Sequence, residues 1–132
     1  MNGVEWGGGV AIVDDERSIV QIYREILEAM SIPIAFVAFD GEDAINKFKE
    51  SKKKPQVVLM DYRMPVMNGI QASISMLRID PSVKIIFISA DGSVRDEAMK
   101  AGAATFIQKP ASLKDIVIEV VNVAKMPPHF TS

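Results

Sequence analysis

The sequence predicts one α/β domain built on a parallel sheet of five strands, with helices on both faces. The first observation is a series of apolar runs separated by helical patterns, which is typical of successive βαβ units with right-handed crossovers. The second is that several runs stop on polar or charged residues, as at the carboxyl edge of such a sheet. The runs begin near Val10, Pro33, Gln56, Val83 and Ala104, at spacings of 23, 23, 27 and 21 residues.

Length and charge limit the classes of protein that the chain can represent. Its 132 residues suffice for one domain that buries about two thirds of its unfolded surface. A net charge of -2 argues against a nucleic-acid-binding module, which is usually strongly basic. The chain has no cysteine, and no apolar run approaches the ~20 residues of a membrane span. We therefore expect a cytoplasmic protein with no direct contact with nucleic acid or membrane.

The two ends of the chain lack a periodic pattern. Residues 1–9 contain Trp6 and three consecutive glycines, and we interpret them as a flexible leader or a remnant of expression. A glycine loop that cradles phosphate would follow a strand and precede a helix, whereas this one precedes a strand. We place the domain at residues 10–126 and expect a loose tail over 127–132, which begins with the helix-breaking Pro127.

The central strand is the apolar run Val57–Met60, which stops on Asp61. Asp61 either merely ends the strand or caps the next helix, or it carries chemistry at the carboxyl edge of the sheet. The first strand also ends on acids, Asp14 and Asp15. If the two strands are parallel neighbours, the three carboxylates converge and repel one another unless a cation neutralises them. Oxygen ligands suit Mg²⁺, with Mn²⁺ as an alternative, whereas a lone His129 and no cysteine offer little to Zn²⁺.

Two further strand ends add polar groups to the same edge. Ser89 closes the fourth strand, and its hydroxyl is placed to bond an oxygen held at Asp61. Lys109 follows the fifth strand and brings an ammonium group to the carboxylates, where a cis bond to Pro110 would aim it inward.

Cap residues and apolar stripes define the helices. Asn68 caps the third helix, and Ser93 with Asp96 gives the fourth a start of the capping-box type. The fourth helix has only Val94, Ala98 and Ala101 as its buried stripe, so we expect it to be the least firmly docked. Ser112 caps the fifth. The predicted apolar stripe is Ile19, Ile22, Tyr23, Ile26 and Met30 in the first helix, and Leu113, Ile116, Val117, Val120, Val121 and Ala124 in the fifth.

In their order along the chain, these polar positions resemble the receiver domain of two-component response regulators. Each motif is weak alone, but all of them in sequence form a specific pattern over roughly residues 10–125. The resemblance implies a flavodoxin-like sheet with strand order 2-1-3-4-5, the order of the bacterial chemotaxis regulator. The motifs are Asp14-Asp15, Asp61 with Met64-Pro65-Val66-Met67-Asn68-Gly69, Ser89-Ala90, and Phe106 three residues before Lys109-Pro110.

The resemblance also implies the chemistry of the site. Asp61 would accept a phosphoryl group from a histidine kinase or a phosphotransfer protein. Mg²⁺ would be held by Asp14 or Asp15, or by one of them directly and the other through water, together with Asp61 and the backbone carbonyl of Arg63. Lys109, Ser89 and Ala90 would contact the phosphoryl group.

The resemblance further implies a switch and residues that tune it. Ser89 would move toward the phosphoryl group and Phe106 would turn inward, which alters the surface of helix 4, strand 5 and helix 5. Phe106 replaces the commoner tyrosine, so any switch there works by packing. Arg63 and Asp91 occupy positions that flank the path of the hydrolytic water in this family. Loop geometry would depend on Pro65, Gly69 and Pro110.

Three classes of function are compatible with parts of this pattern. The first is a receiver that catalyses only its own phosphorylation and dephosphorylation, and is thus not an enzyme; it signals to an output domain or downstream protein, or through a phosphorylation-dependent homodimer. The second, a phosphatase of the haloacid dehalogenase type, needs an acid where this chain has Arg63. The third is a degenerate receiver that only binds partners, against which the full set of charged positions argues. Nucleotide or flavin binding would need a glycine-rich loop after strand 1.

The chain is either a stand-alone receiver or part of a longer regulator.

Overall fold

A computed structural model describes residues 3–127 and contains one parallel sheet of five strands. The strand order is β2-β1-β3-β4-β5, so the predicted fold class and order are confirmed. Each strand begins within one residue of its predicted start. The strands are β1 (Val10–Val13), β2 (Ile34–Ala38), β3 (Val57–Asp61), β4 (Lys84–Ser89) and β5 (Thr105–Gln108).

Five helices connect and cover these strands. Three of them, α2, α3 and α4, pack on one face of the sheet, and α1 and α5 pack on the other. A single 3₁₀ turn, Gly92–Val94, precedes α4. Within residues 3–127, none of the helices combines the length and apolar character needed to span a bilayer. The helices are α1 (Arg17–Ala29), α2 (Gly41–Glu50), α3 (Gly69–Ile79), α4 (Arg95–Lys100) and α5 (Leu113–Ala124).

The sheet divides the core into two apolar clusters. Successive side chains of β1 alternate between them: Ala11 and Val13 pack with α2, α3 and α4, and Val10 and Ile12 pack with α1 and α5. All four are at most 1% exposed, and the apolar part of β3 is buried in the same way. A central strand that is apolar on both faces cannot slip in register without exposing one of them, so the ends of β1 and β3 are fixed in position.

Most predicted helix boundaries agree with the structure. Asn68 and Gln71 form a reciprocal capping box at the start of α3, and Ser112 accepts a hydrogen bond from the Asp115 N–H at the start of α5. Gly102 follows α4 with φ +107°, a conformation that suits glycine at a helix end.

The predicted start of helix 4 at Ser93 is wrong. The Asp91 carboxylate accepts from the Ser93 N–H at 3.0 Å and also from its hydroxyl, and this arrangement begins the 3₁₀ turn. The N-cap of α4 is Val94, which makes no side-chain cap bond. Asp91 is closer to the strand end and engages the first free N–H group, so Ser93 lies inside the turn.

The predicted stripes of the longer helices are correct only in part. In α1, Ile22 and Met30 are 43% and 49% exposed, whereas Val20 and Leu27 are buried. In α5, Leu113 is 38% exposed. The side chains that α1 buries are spaced three and four residues apart, but they lie on a face rotated from the predicted one, because the position of the sheet selects the face. The buried residues are Val20, Tyr23 and Leu27 in α1, and Ile116, Val120 and Val123 in α5.

The described part of the predicted leader, residues 3–9, contacts the domain. The Gln56 side-chain amide donates to the Glu5 carbonyl at 3.0 Å, and the Gln56 N–H donates to the Gly9 carbonyl at 2.8 Å. Trp6 packs against the cluster formed by α1 and α5. A Cβ atom on Gly8 would lie 1.8 Å from the Lys54 carbonyl oxygen, so glycine permits this close approach. The predicted tail spans residues 127–132, and of these the structure describes only Pro127.

Gly8→Ala should destabilise the protein by about 1–2 kcal/mol, because the new methyl group displaces either the segment or the Lys54 backbone. Gly7→Ala is the matched control, since a Cβ there has no atom within 4 Å. Urea unfolding of the two variants and the wild type measures the difference. Equal stability of the two variants would show that residues 3–9 do not pack against the domain in solution.

Candidate functional site

Three carboxylates meet at the carboxyl edge of the sheet, where β1 and β3 lie side by side. Val13 pairs with Met60, so the next residues, Asp14 and Asp61, stand at the same level on neighbouring strands. Asp15 follows at once, and one carboxylate oxygen from each acid lies within 4.8 Å of the others. The predicted convergence of the three acids therefore occurs.

Lys109 brings a positive charge to these acids. Its Nζ lies 3.5 Å from Asp61 Oδ1 and 3.7 Å from Asp14 Oδ2. The Lys109 N–H donates to the Ser89 carbonyl at 2.9 Å, which places this residue just beyond β5. The bond from Lys109 to Pro110 is cis, as the sequence led us to expect.

Burial and mutual repulsion dominate the electrostatics of the acids. Burial raises the pKa of Asp61 to about 6, repulsion by Asp14 adds to this effect, and the attraction of Lys109 opposes it. Burial also raises the pKa of Asp14, against a hydrogen bond from the Glu16 N–H and the charge of Lys109. Burial lowers the pKa of Lys109, but the two carboxylates outweigh burial and raise it. One ammonium group does not fully neutralise the cluster.

The residues present fit a hard divalent cation. Three carboxylates with converging oxygens are the donor set that Mg²⁺ prefers, and the single ammonium group of Lys109 leaves two of their three negative charges without a counter-charge. Within residues 3–127, these acids form the one group of at least three potential metal ligands.

Ser89 and Ala90 end β4 beside Asp61. Ser89 is 2% exposed, and Asp61 pairs with its neighbour Ile88 across the sheet. The Ser89 hydroxyl oxygen accepts from the Asp91 N–H at 3.1 Å, so its own proton is free to be donated. Ala90 is exposed and carries only a methyl group next to the acids.

The loop after Asp61 is tightly constrained. The Gly69 N–H donates to the Tyr62 carbonyl at 2.9 Å, and a Cβ on Gly69 would lie 2.1 Å from the Asp61 carbonyl oxygen. The Met67 N–H donates to the Pro65 carbonyl at 2.7 Å, which leaves Val66 between them at φ +68° and fully exposed. A branched side chain in this conformation is uncommon, and no feature of the sequence predicted it at Val66.

Two residues predicted to tune the rate contact each other. The Arg63 guanidinium lies 3.5 Å from the Asp91 carboxylate, so the loops after β3 and β4 are joined by an ion pair. Hydrogen bonds from Ser93 hold the pKa of Asp91 below its usual range, and Arg63 contributes further. No feature of the sequence indicated that these two side chains would pair.

Phe106, the predicted switch residue, is buried, and the guanidinium group of Arg95 lies over its ring. Phe106 pairs with Phe87 in the sheet and is 6% exposed, and the Arg95 guanidinium lies 5.9 Å from its ring centroid. Tyr23, on the other face of the sheet from Phe106, interacts electrostatically with Lys109 and the acids. Burial raises the pKa of its phenol, and the charge of Lys109 opposes that effect. The sequence placed Tyr23 only in an apolar stripe, although it carries the one hydroxyl of that stripe.

Comparison with known proteins assigns the chain to a family. The family model described as "Response regulator receiver domain" matches residues 10–121. The chemotaxis protein CheY of Thermotoga maritima is 40% identical over 121 residues, which cover 90% of this chain and 99% of that protein. CheY of Treponema pallidum is 32% identical over 118 residues, covering 88% of this chain and 82% of that protein.

Solved structures agree with this assignment. CheY in the CheX–CheY–BeF₃–Mg²⁺ complex from Borrelia burgdorferi matches with a TM-score of 0.81 and 31% identity, over 86% of this chain and 87% of that chain. The receiver domain of the putative response regulator NarL from Mycobacterium tuberculosis matches with a TM-score of 0.80 and 29% identity, over 89% and 96%. On the family model and the relatives together, this chain belongs to the response regulator receiver domain family.

Proposed function

We propose that this receiver domain signals through a phosphoryl group carried on Asp61. The observation that carries the proposal is the ammonium group of Lys109, which lies within 4 Å of both Asp61 and Asp14. A half-buried ammonium group between two acids is suited to bind an incoming phosphoryl oxygen. Receiver domains of two-component systems are modules of phosphorylation-based signalling.

The proposed chemistry starts from the Asp61 carboxylate. With a pKa of about 6, Asp61 is mostly ionised at neutral pH and is able to attack phosphorus. An Asp61 oxygen forms the new P–O bond while the P–N bond to the imidazole of a histidine kinase or phosphotransfer protein breaks. The electron pair of that bond stays with the imidazole, which takes up a proton. With acetyl phosphate as donor, a P–O bond breaks instead and acetate leaves.

The surrounding residues position the phosphoryl oxygens. Lys109 neutralises one of them, and the Ser89 hydroxyl and the Ala90 N–H offer donors to the others. The proposed ligands of Mg²⁺ are the carboxylates of Asp14, Asp15 and Asp61, with the backbone carbonyl of Arg63 as the resemblance implies. When bound, Mg²⁺ supplies the positive charge that offsets the charge of the phosphoryl group.

The proposed output is a change in the surface formed by α4, β5 and α5. A phosphoryl group adds about -1.5 to -2 charge, which would draw the Ser89 hydroxyl away from the Asp91 N–H and let Phe106 follow. The helix α4 has six residues, of which only Ala98 is buried, so it has little packing to resist such a change. Phe106 is already buried, with only 6% of its surface exposed. We therefore expect a shift of its ring to change mainly the position of the Arg95 guanidinium, which lies over the ring. The proposed partners at this surface are an output domain, a downstream protein or a second phosphorylated copy.

Incubation with acetyl phosphate and Mg²⁺ should add one phosphoryl group to the wild type and none to Asp61→Ala, because the alanine variant lacks the nucleophile. Intact-mass spectrometry measures the adduct. Asp96→Ala, which removes an exposed acid on α4, is the control and should still be modified. Removal of the metal with EDTA should abolish the adduct in the wild type. An adduct on Asp61→Ala would contradict the assignment of the phosphoacceptor.

Asp61→Asn should stabilise the metal-free protein by about 1–3 kcal/mol at pH 7. The folded pKa of Asp61 is about 6, above its usual 3.8, so the folded state loses stability as the pH rises between these values. The advantage of the variant should therefore fade as the pH falls from about 6 to about 4, where the wild-type carboxyl is protonated. Urea unfolding across this range measures the effect, with Asp96→Asn as control. A less stable Asp61→Asn at neutral pH would show that repulsion and burial do not dominate at this position.

The pair of Arg63 and Asp91 should slow hydrolysis of the phosphorylated protein, because it restricts access of water between the two loops. Arg63→Ala and Asp91→Ala should each shorten the lifetime of the adduct roughly threefold. For Arg63→Ala, this corresponds to a barrier to hydrolysis that is lower by about 0.6 kcal/mol. The double variant should be no faster than either single variant, since both remove the same pair. Decay of the adduct mass over time measures the rates. Additive effects would show that the two residues act independently.

A further inference from the structure

A groove that the proposed function does not use runs between α2 and α3. It consists of two adjoining depressions of about 510 and 490 Å³. Both depressions are lined by Glu42, Asn46 and Met67, so they form one continuous groove. Asp61 and Lys109 do not line it. The upper end lies at the carboxyl edge of the sheet, near Asp40, and the lower end lies near Arg78 at the end of α3.

The charged side chains along this groove follow an ordered pattern. Glu42, Asn46 and Lys49 occur at i, i+4 and i+7 of α2, so they share one face of the helix. Within residues 3–127, the side chains of these three residues and of Arg78 make no hydrogen bond or ion pair. In contrast, Asp43 and Lys47 on α2 pair with each other at 3.0 Å. The groove therefore presents a free acid at its upper end, an amide near its middle and free bases at its lower end.

Apolar groups complete the surface. Ile45 and Met67 line the groove and are half-buried. Val66 at the upper end is fully exposed, and Ile79 at the lower end is 37% exposed. Val66 also adopts φ +68°, which projects its side chain from the loop into solvent. Val66 and Ile79 thus offer one apolar side chain at each end of the polar groove.

We propose that this groove binds the same groove of a second copy of the chain, in an antiparallel arrangement with two-fold symmetry. In such a pair, Glu42 of each chain faces Lys49 of the other, and Asn46 faces its own symmetry mate. The amide of Asn46 both donates and accepts, so it is complementary to itself. Val66 of each chain meets Ile79 of the other.

The charge pattern selects a second copy over an unrelated partner. Glu42 and Lys49 are seven residues apart, about 10 Å along the helix, and Asn46 lies close to the midpoint. A two-fold axis through that midpoint pairs acid with base, amide with amide and apolar group with apolar group in one operation. The proposal uses a face other than α4, β5 and α5, and it does not depend on phosphorylation of Asp61.

Analytical ultracentrifugation of the whole chain, from about 1 μM to about 1 mM, tests the proposal in the range of weak association. The mass should rise with concentration from 14.5 kDa toward twice that value, less strongly at high salt. Glu42→Lys and Lys49→Glu should each be monomeric, because each places like charges opposite one another. An equimolar mixture of these two variants should form a mixed dimer, because every pair between them is again of opposite sign.

A control and two outcomes make the test decisive. Lys53→Glu changes the same charge outside the groove and should leave the dimer intact. A wild type that stays monomeric at every concentration would overturn the proposal. A dimer that persists in both Glu42→Lys and Lys49→Glu would also overturn it, since association would then use another face. Circular dichroism of each variant shows that a loss of association is not a loss of fold.

Discussion

The arrangement of Asp14, Asp61 and Lys109 at the end of β1 and β3 is the constraint on which the rest of the structure depends. Two buried acids side by side repel each other, and one lysine from β5 only partly offsets the repulsion. Such a cluster persists only where the backbone cannot relax away from it. The apolar packing on both faces of the central strands provides this rigidity, since any shift would expose buried side chains on one face. The core thus stabilises a site that is itself destabilising.

The packing of the domain differs between the central strands and the elements around the site. The acids stand at the ends of central strands, whereas the surface that we propose to respond to them includes α4, which has a single buried side chain. Ser89 stands between the two regions: it ends a buried strand, and its hydroxyl is held by the backbone of the following turn. In the proposed switch, a local change of charge acts on the part of the fold with the least packing to lose.

The sequence was sufficient for the strands and for the acids that end them, because both depend on local signals: apolar runs of strand length, and polar residues where the runs stop. Convergence of the acids required in addition that β1 and β3 be neighbours. The strand order came from the family resemblance and is confirmed. Features that depend on tertiary placement were not predictable. The face that α1 buries is selected by the sheet, so Ile22 and Met30 are exposed. Asp91 rather than Ser93 begins the turn before α4 because of its distance from the strand end. The contact of Gly8 with Lys54, and the pairing of Arg63 with Asp91, join segments far apart in the chain.

Gly69 has a consequence that reaches beyond the loop in which it lies. Its α-carbon sits so close to the carbonyl of Asp61 that no side chain fits between them, and its N–H is bonded to Tyr62. The first residue of α3 is thus directly coupled to the residue at the end of β3, while the seven residues between them form a bypassed loop. Because no free space separates the two backbones, the positions of the Asp61 carbonyl and of the first turn of α3 are set together. Substitution of Gly69 would therefore displace the end of β3 and the start of α3 at the same time.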